Sequence, residues 1–258
     1  MIRRELSSGA YALVPSGFEN DGFLAAFTER SGGVSSEPRF ASLNLSYSSG
    51  DDPQNVARNR HLVTSEMGTG PFAIGGQIHG VTLASVGPEQ AGRGFAGPAE
   101  VVPATDGLHT SSVRVALAVA TADCAPVIMG SAREERLAVV HAGWRGIAAG
   151  IIESATRLFD DPAGVRVAIG PCAGPCCYEV GEDVIEAITS GTEGGAVSRL
   201  ISSRILLDIP ATIERALREI GVRQVEAADL CTIDLPDRFF SHRRDGPCGR
   251  QLAIGMRF

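Results

Sequence analysis

Two imidazoles and a thiol are the residues of this chain best equipped for chemistry: His79 in QIHG, Cys124 in ADCAP and His141 in VVHAGWRG. Two histidines and one cysteine make a borderline-soft donor set that suits Zn²⁺. Three protein ligands leave the fourth tetrahedral position to water or substrate, the pattern of a catalytic zinc, and zinc brings the pKa of a bound water towards neutrality. The same residues could instead serve a Cys–His hydrolase, with Cys124 as nucleophile and His141 or His79 as its base. Residue types alone leave both open. Asp123, next to Cys124, is a candidate proton shuttle, a partner that orients a ligand, or a buried hydrogen-bonding group.

The elements around these residues follow from pattern. The stretch 121–150 reads as strand, turn, strand and helix, with Leu117–Thr121 and Leu137–His141 as apolar runs of strand length. Cys124 falls just past the first run and His141 ends the second. A strand end feeding a helix N-terminus offers free backbone N–H groups to an anion, and Arg145 lies there, at the start of a helix expected to run from about Gly146 to Leu158. Gln77 and His79, two apart in the apolar run 73–86, would share one face of a strand. An acidic cap and a first-turn proline, Asp51-Asp52-Pro53, open a helix to Met67. Asn59 and Arg60 sit near its middle, and pattern alone puts Arg60 on a solvated face. Further helices are expected over 183–189 and 209–220, and strands over 10–15, 22–28, 165–169, 222–227 and in the tail. The Gly-, Pro- and Ala-rich segment 87–103 reads as a loop or flap. With no internal repeat and no clear boundary, residues 1–258 are expected to form one mixed α/β domain.

Composition narrows the partners. The formal net charge is −7, which argues against general binding to a phosphate backbone. One basic cluster, Arg238, Arg243, Arg244 and Arg250, is interrupted by Asp237 and Asp245 and suits a local anion site. No apolar run reaches the roughly 18–20 residues of a membrane span, and the N-terminus lacks the apolar core of a signal peptide. A cytoplasmic protein with mostly reduced cysteines is expected. Cys172, Cys176 and Cys177 form a C-x3-C-C group, but no second ligand pair at zinc-site spacing is evident, so packing or turn roles are expected for them.

Several longer segments carry a resemblance: FTERSGGVSSEPRFASLNL, GDDPQNVARNR, QIHG, ATADCAPVIM, VVHAGWRGIAAGII, AIGPCAGPCCYEVGEDV, and CT with FFSHRRDGPCGRQLAIG, in order from about Phe27 to Gly255. On these segments the chain resembles the YfiH/DUF152 family of purine nucleoside phosphorylases, long labelled laccase-domain or polyphenol oxidase proteins. It departs at His109, where the family more often has an apolar residue, and at Ala173, which replaces a usual isoleucine. The resemblance implies an α+β fold, a single-domain α/β/β/α sandwich with mixed sheets, and a zinc held by His79, Cys124 and His141. It also implies phosphorolysis of adenosine, inosine and methylthioadenosine by inorganic phosphate, with some adenosine deamination. Arg60 and Arg145 are then the candidates for phosphate contact, and Asn44 and Gln77 for ribose or base. The alternative is an amide hydrolase that edits peptidoglycan precursors with the same cysteine and histidines.

The laccase label can be tested by counting. A multicopper oxidase needs a His2Cys blue-copper site and a trinuclear cluster with many more imidazoles. This chain has five histidines, at 61, 79, 109, 141 and 242, and no His-x-His pair. The sequence speaks against that chemistry.

Overall fold

The computed structural model describes residues 1–258. The chain opens with β1 (Ile2–Glu5), β2 (Tyr11–Val14) and β3 (Phe23–Thr28), followed by α1 (Pro53–Met67) and β4 (Phe72–Ile74). Next come β5 (Leu83–Ser85), β6 (Gly107–Thr110), β7 (Ala116–Thr121), β8 (Ala125–Ser131) and β9 (Arg136–Ala142). Two short helices, α2 (Trp144–Ala148) and α3 (Ile151–Thr156), lead to β10 (Arg166–Ile169), β11 (Glu179–Val180) and α4 (Glu182–Gly191). The remainder is β12 (Ser198–Ile201), β13 (Arg204–Leu207), α5 (Ile209–Ile220), β14 (Gln224–Ala227), α6 (His242–Asp245) and β15 (Gln251–Arg257).

Two six-stranded mixed sheets, ordered β1-β2-β3-β15-β7-β4 and β14-β10-β8-β9-β6-β5, form the frame, with a small β11-β13-β12 sheet beside them. Period-2 alternation assigns the faces. In β9, Leu137 and Val139 join a core that also holds Phe23 and Phe27 of β3, Leu117 and Val119 of β7 and Ala253 of β15. Their neighbours Ala138, Val140 and Ala142 instead pack with Ile147, Ile151, Ile213 and Leu217 from the helices. On the far side of the first sheet, Ala116, Ala118, Leu252 and Ile254 meet Leu43 and Val63. The layers are therefore helix, sheet, sheet, helix, as the resemblance implies. The sheets approach closely at Gly255, where an added Cβ would lie 2.9 Å from Val139 Cγ2 and 3.1 Å from Leu137 Cδ2.

The helix opened by Asp52 and Pro53 runs as the sequence indicates. The Asp52 side chain accepts from Gln54 N–H, and Gly68 ends the helix in the left-handed region at φ 66°. Three local expectations are corrected. The run 73–86 is not one strand, because β4 and β5 belong to different sheets and the residues between them form a loop. The two apolar runs that flank Cys124 also lie in different sheets. The intervening β8 pairs antiparallel with β9 along Ala125–Ser131, so the chain crosses between the layers at the Asp123–Cys124 turn. The helix expected over 146–158 is broken at Gly150, whose φ is 85°, into α2 and α3. The strand β1 and the hairpin β12–β13 carry no strand signal clear enough to be read from sequence. No helix is long and apolar enough to cross a membrane.

Candidate active site

His79, Cys124 and His141 come from three separate elements and meet with their ligand atoms all within 4.8 Å of one another. His141 is the buried penultimate residue of β9, Cys124 follows the sheet-crossing turn, and His79 stands in the loop after β4. The two imidazoles pack edge to face with centroids 4.9 Å apart. Gly143 closes the third side. A Cβ there would lie 2.9 Å from both Cys124 Sγ and His79 Cδ2, so any larger residue would spread the cluster.

Two of these positions lie in backbone geometry that a strand cannot supply. His79 has φ 62° and Asp123 has φ 93°, the left-handed region that costs a residue with a Cβ of order 1–3 kcal/mol. Buried Asp106 compensates at the first. Its Oδ2 accepts from the N–H groups of Ile78 (3.1 Å) and Gly80 (2.7 Å), and its Oδ1 from His79 N–H (2.9 Å). The same Oδ1 lies 2.9 Å from His141 Nδ1. A carboxylate only accepts, so His141 carries its proton on Nδ1 and keeps Nε2 for the cluster. Burial alone would raise the Asp106 pKa, but the bonds from His141 and the backbone N–H groups hold it below the ordinary carboxylate value. Asp106 thus orients one ligand through its ring and the other through its backbone. The sequence does not reveal this role: an Asp-Gly pair at a strand start carries no signal that its carboxylate turns back on a loop 27 residues earlier.

At the second position each oxygen of the Asp123 carboxylate accepts one bond from the protein. Thr232 Oγ1 donates to Oδ1 (2.6 Å) and Arg243 N–H to Oδ2 (2.7 Å). Asp123 lines the cavity described below but pins the crossing turn to two C-terminal segments.

The cluster is a strongly coupled electrostatic unit. Burial pushes the Cys124 thiol up, yet the charge and hydrogen bond of His141, with help from His79, outweigh it and bring the pKa to about 6. Burial pushes His141 down, while the Cys124 thiolate and Asp106 lift it to about 9. The two charges support each other: a protonated His141 favours the Cys124 thiolate, and the thiolate with Asp106 favours the protonated imidazole.

Outside the cluster opens a cavity of about 560 Å³, a volume that holds a drug-sized ligand. Arg60, Arg145, Arg243, Arg250 and His242 line it, against Asp123 as the single carboxylate. Arg145 is exposed and lies over the Trp144 ring with Cζ 4.3 Å from its centroid. Helix α2, only five residues long, is too short to add an appreciable dipole. Arg243 covers the Tyr178 ring and donates through Nη1 to Glu179 O. Of the basic cluster noted in the sequence, Arg243 and Arg250 reach the cavity. Arg238 pairs with Glu29 and Arg244 with Asp245.

Arg60 is not on a solvated face. It is 3% exposed, donates through Nε to Leu45 O and through Nη1 to Gly94 O and Phe95 O, and stacks on Tyr47. Burial lowers its pKa to about 10, so it stays charged at neutral pH with no carboxylate bonded to it. Its buried stripe on α1 includes Asn59 and Thr64 beside Val56 and Val63, which hid that face from hydrophobic periodicity. Gln77 lines the cavity, with its amide donating to Ala120 O and accepting from Ala120 N–H, both at 2.8 Å. Asn44 is wholly buried behind the cavity wall. Its Oδ1 accepts from Arg250 N–H and Ser46 N–H, and its Nδ2 donates to Asp51. His109 lies on β6, outside the cavity lining.

A family model described as multi-copper polyphenol oxidoreductase laccase matches residues 24–257. The chain belongs to this laccase-domain family. A relative from Geobacillus stearothermophilus, named purine nucleoside phosphorylase YlmD, is 35% identical over 250 residues, covering 92% of this chain and 91% of its own. Purine nucleoside phosphorylase YfiH of Escherichia coli is 32% identical over 246 residues, covering 94% and 97%. The crystal structure of YlmD from G. stearothermophilus superposes with a TM-score of 0.91 at 32% identity over 99% of this chain and 98% of that one. That of Neisseria meningitidis NMB0706, a DUF152 protein, gives 0.78 at 31% identity over 95% and 96%. The copper-oxidase part of the family description finds no support in the histidines. Apart from the His79–His141 pair, His61 packs on Phe95, His109 sits in a sheet and His242 lines the cavity.

Proposed function

We propose that the chain is a zinc-dependent purine nucleoside phosphorylase acting on adenosine, inosine and methylthioadenosine, with accompanying adenosine deamination. The observation that carries this reading is a compact His2Cys donor set opening into a cavity lined by four arginines. The donors fit zinc. They are borderline-soft, their ligand atoms lie within 4.8 Å of one another, and His141 is backed by a carboxylate, the usual outer partner of a metal-bound histidine. When bound, Zn²⁺ supplies Lewis acidity at a position open to the cavity and a lowered pKa for water there.

The chain's own residues supply positioning and charge. Phosphorolysis breaks the bond from ribose C1′ to the purine nitrogen as a phosphate oxygen bonds to C1′, through an oxocarbenium-like transition state. Arg145 and Arg243, with little or no call on their guanidinium groups from the protein, hold the phosphate. Buried Arg60 and rim-lining Arg250 keep the cavity positive and aid the build-up of negative charge on the departing purine. Asp106 fixes His141 and the His79 loop, so that the donor set is ordered before substrate arrives. Gln77 fixes the cavity wall through Ala120, and Asn44 acts one layer back by placing Arg250 and Ser46. Asp123 holds the Cys124 turn in place.

A second reading is favoured by one observation. Asp106, His141 and Cys124 are ordered as in a carboxylate–histidine–nucleophile triad, and the Cys124 thiol is acidified to about 6. An amide hydrolase acting on a peptidoglycan precursor would use this arrangement. It leaves His79 and the arginines without a role. Product analysis of adenosine with metal-replete protein separates the readings. Adenine and ribose 1-phosphate forming only when phosphate is added support phosphorolysis. Inosine in both tubes makes deamination the main activity, and unchanged adenosine in both favours the amide hydrolase.

A further inference from the structure

Behind the Cys124 turn lies a second thiol cluster. Cys176 and Cys177 belong to the Gly/Pro-rich turn after β10, and Cys231 follows β14, yet their sulfurs all lie within 4.8 Å of one another. All are free thiols. The turn is tightened by Cys177 N–H and Tyr178 N–H both donating to Gly174 O, which brings adjacent cysteines to one side. The Cys231 segment is fixed beside it by a parallel bridge to Cys172. Gly174 N–H donates to Cys231 Sγ at 3.3 Å, the type of backbone bond that stabilises a metal thiolate. Gly174 also leaves the room for that contact, since a Cβ there would lie 3.2 Å from Cys231 Cβ.

We propose that Cys176, Cys177 and Cys231 form a second metal site, for a thiophilic d¹⁰ cation of the Zn²⁺/Cd²⁺ class, separate from the His79–Cys124–His141 centre. Zn–S bonds of about 2.3 Å place the sulfurs of a tetrahedral site about 3.8 Å apart, within the 4.8 Å that already separates these three at most. An all-sulfur set excludes Mg²⁺ and Ca²⁺, which take oxygen ligands. Exposed Cys176 gives an entry path and leaves the fourth position to solvent. Binding sends the three thiol protons to the buffer as three metal–sulfur bonds form. Its effect on the fold is a clamp. Ala173 N–H, on the first segment, donates to Asp123 O (2.8 Å), and Thr232, on the second, donates to the Asp123 carboxylate. A metal joining the two segments would stiffen the support of the Cys124 turn.

The test is a Cd²⁺ titration of reduced, metal-free full-length Cys124→Ala protein, in which the first site is disabled. The readouts are the ultraviolet thiolate-to-cadmium charge-transfer band and the thermal midpoint. The expected result is saturation at about one equivalent, a rise in the midpoint, and a loss of affinity of at least ~100-fold in Cys231→Ser and in Cys176→Ser backgrounds. Should Cys231→Ser fold poorly, exposed Cys176→Ser still decides the matter. No band at stoichiometric Cd²⁺, or a band and affinity that survive Cys176→Ser, would overturn the proposal.

Discussion

The two sulfur clusters of this protein are linked through Asp123, which the segments carrying the second cluster hold beside Cys124, and they differ in what surrounds each thiol. Cys124 has two imidazoles against it, and their charge and hydrogen bonds bring its pKa to about 6 in spite of burial. Cys176 and Cys177 are only partly desolvated and lie against each other and Cys231, and together these push both above the ordinary thiol value. One thiol is acidified by its neighbours and opens into a cationic cavity. The other cluster lies beside segments that support the Cys124 turn. Type alone, six cysteines in one chain, does not separate them; the neighbours do.

The largest expected effect separates the sites by activity. Cys124→Ala should reduce turnover at least ~10³-fold and abolish metal retention at the first site, whereas Cys176→Ser should leave turnover within about two-fold. Steady-state kinetics with elemental analysis checks both. Equal losses would erase the distinction drawn here.

Thiol reactivity gives the next contrast. In metal-stripped protein the Cys124 thiolate fraction rises with pH through about 6. Its alkylation rate should therefore be nearly flat above pH ~7 and fall about ten-fold per unit below pH ~6. Cys176, raised instead, should gain rate only above the ordinary thiol range, so at neutral pH the two should differ by at least ~100-fold. Peptide-resolved alkylation against pH reads both curves, and coincident curves would show that the imidazoles do not set the difference.

A smaller effect isolates the carboxylate. Asp106→Asn keeps the shape but removes the charge opposite His141, and should weaken metal binding ~10–100-fold at the first site while leaving Cd²⁺ affinity at the second unchanged. Competition with a chelator measures each. The smallest effect concerns the anion. Arg145→Ala or Arg243→Ala should raise KM for phosphate about ten-fold, a loss of roughly 1.4 kcal/mol of binding, with little change in KM for the nucleoside. A change confined to the nucleoside would move these arginines to the purine end.

What the sequence shows of this protein depends on range. Helix α1 is legible because its opening signal is local: the acidic cap and first-turn proline, Asp51-Asp52-Pro53. The donor trio is legible because imidazole and thiol chemistry is rare enough in the chain to be enumerated. Arg60 misleads because the buried stripe of α1 is partly polar, its arginine satisfied by three carbonyls rather than by an acid. The strand expected to hold Gln77 and His79 fails because Asp106, far along the chain, stabilises a left-handed loop conformation there. Cys231 is invisible as a partner of Cys176 and Cys177 for the same reason: only the pairing of distant segments brings it near.

The central claim, that His79, Cys124 and His141 form a metal-dependent centre for phosphorolysis, is tested most directly with one preparation in three states. Phosphate-dependent release of adenine from adenosine is measured on metal-replete protein, after chelation, and after Zn²⁺ is restored, with metal content determined each time. Activity that disappears with the metal and returns with it is the predicted result. Undiminished phosphorolysis in protein shown to be metal-free would contradict the account.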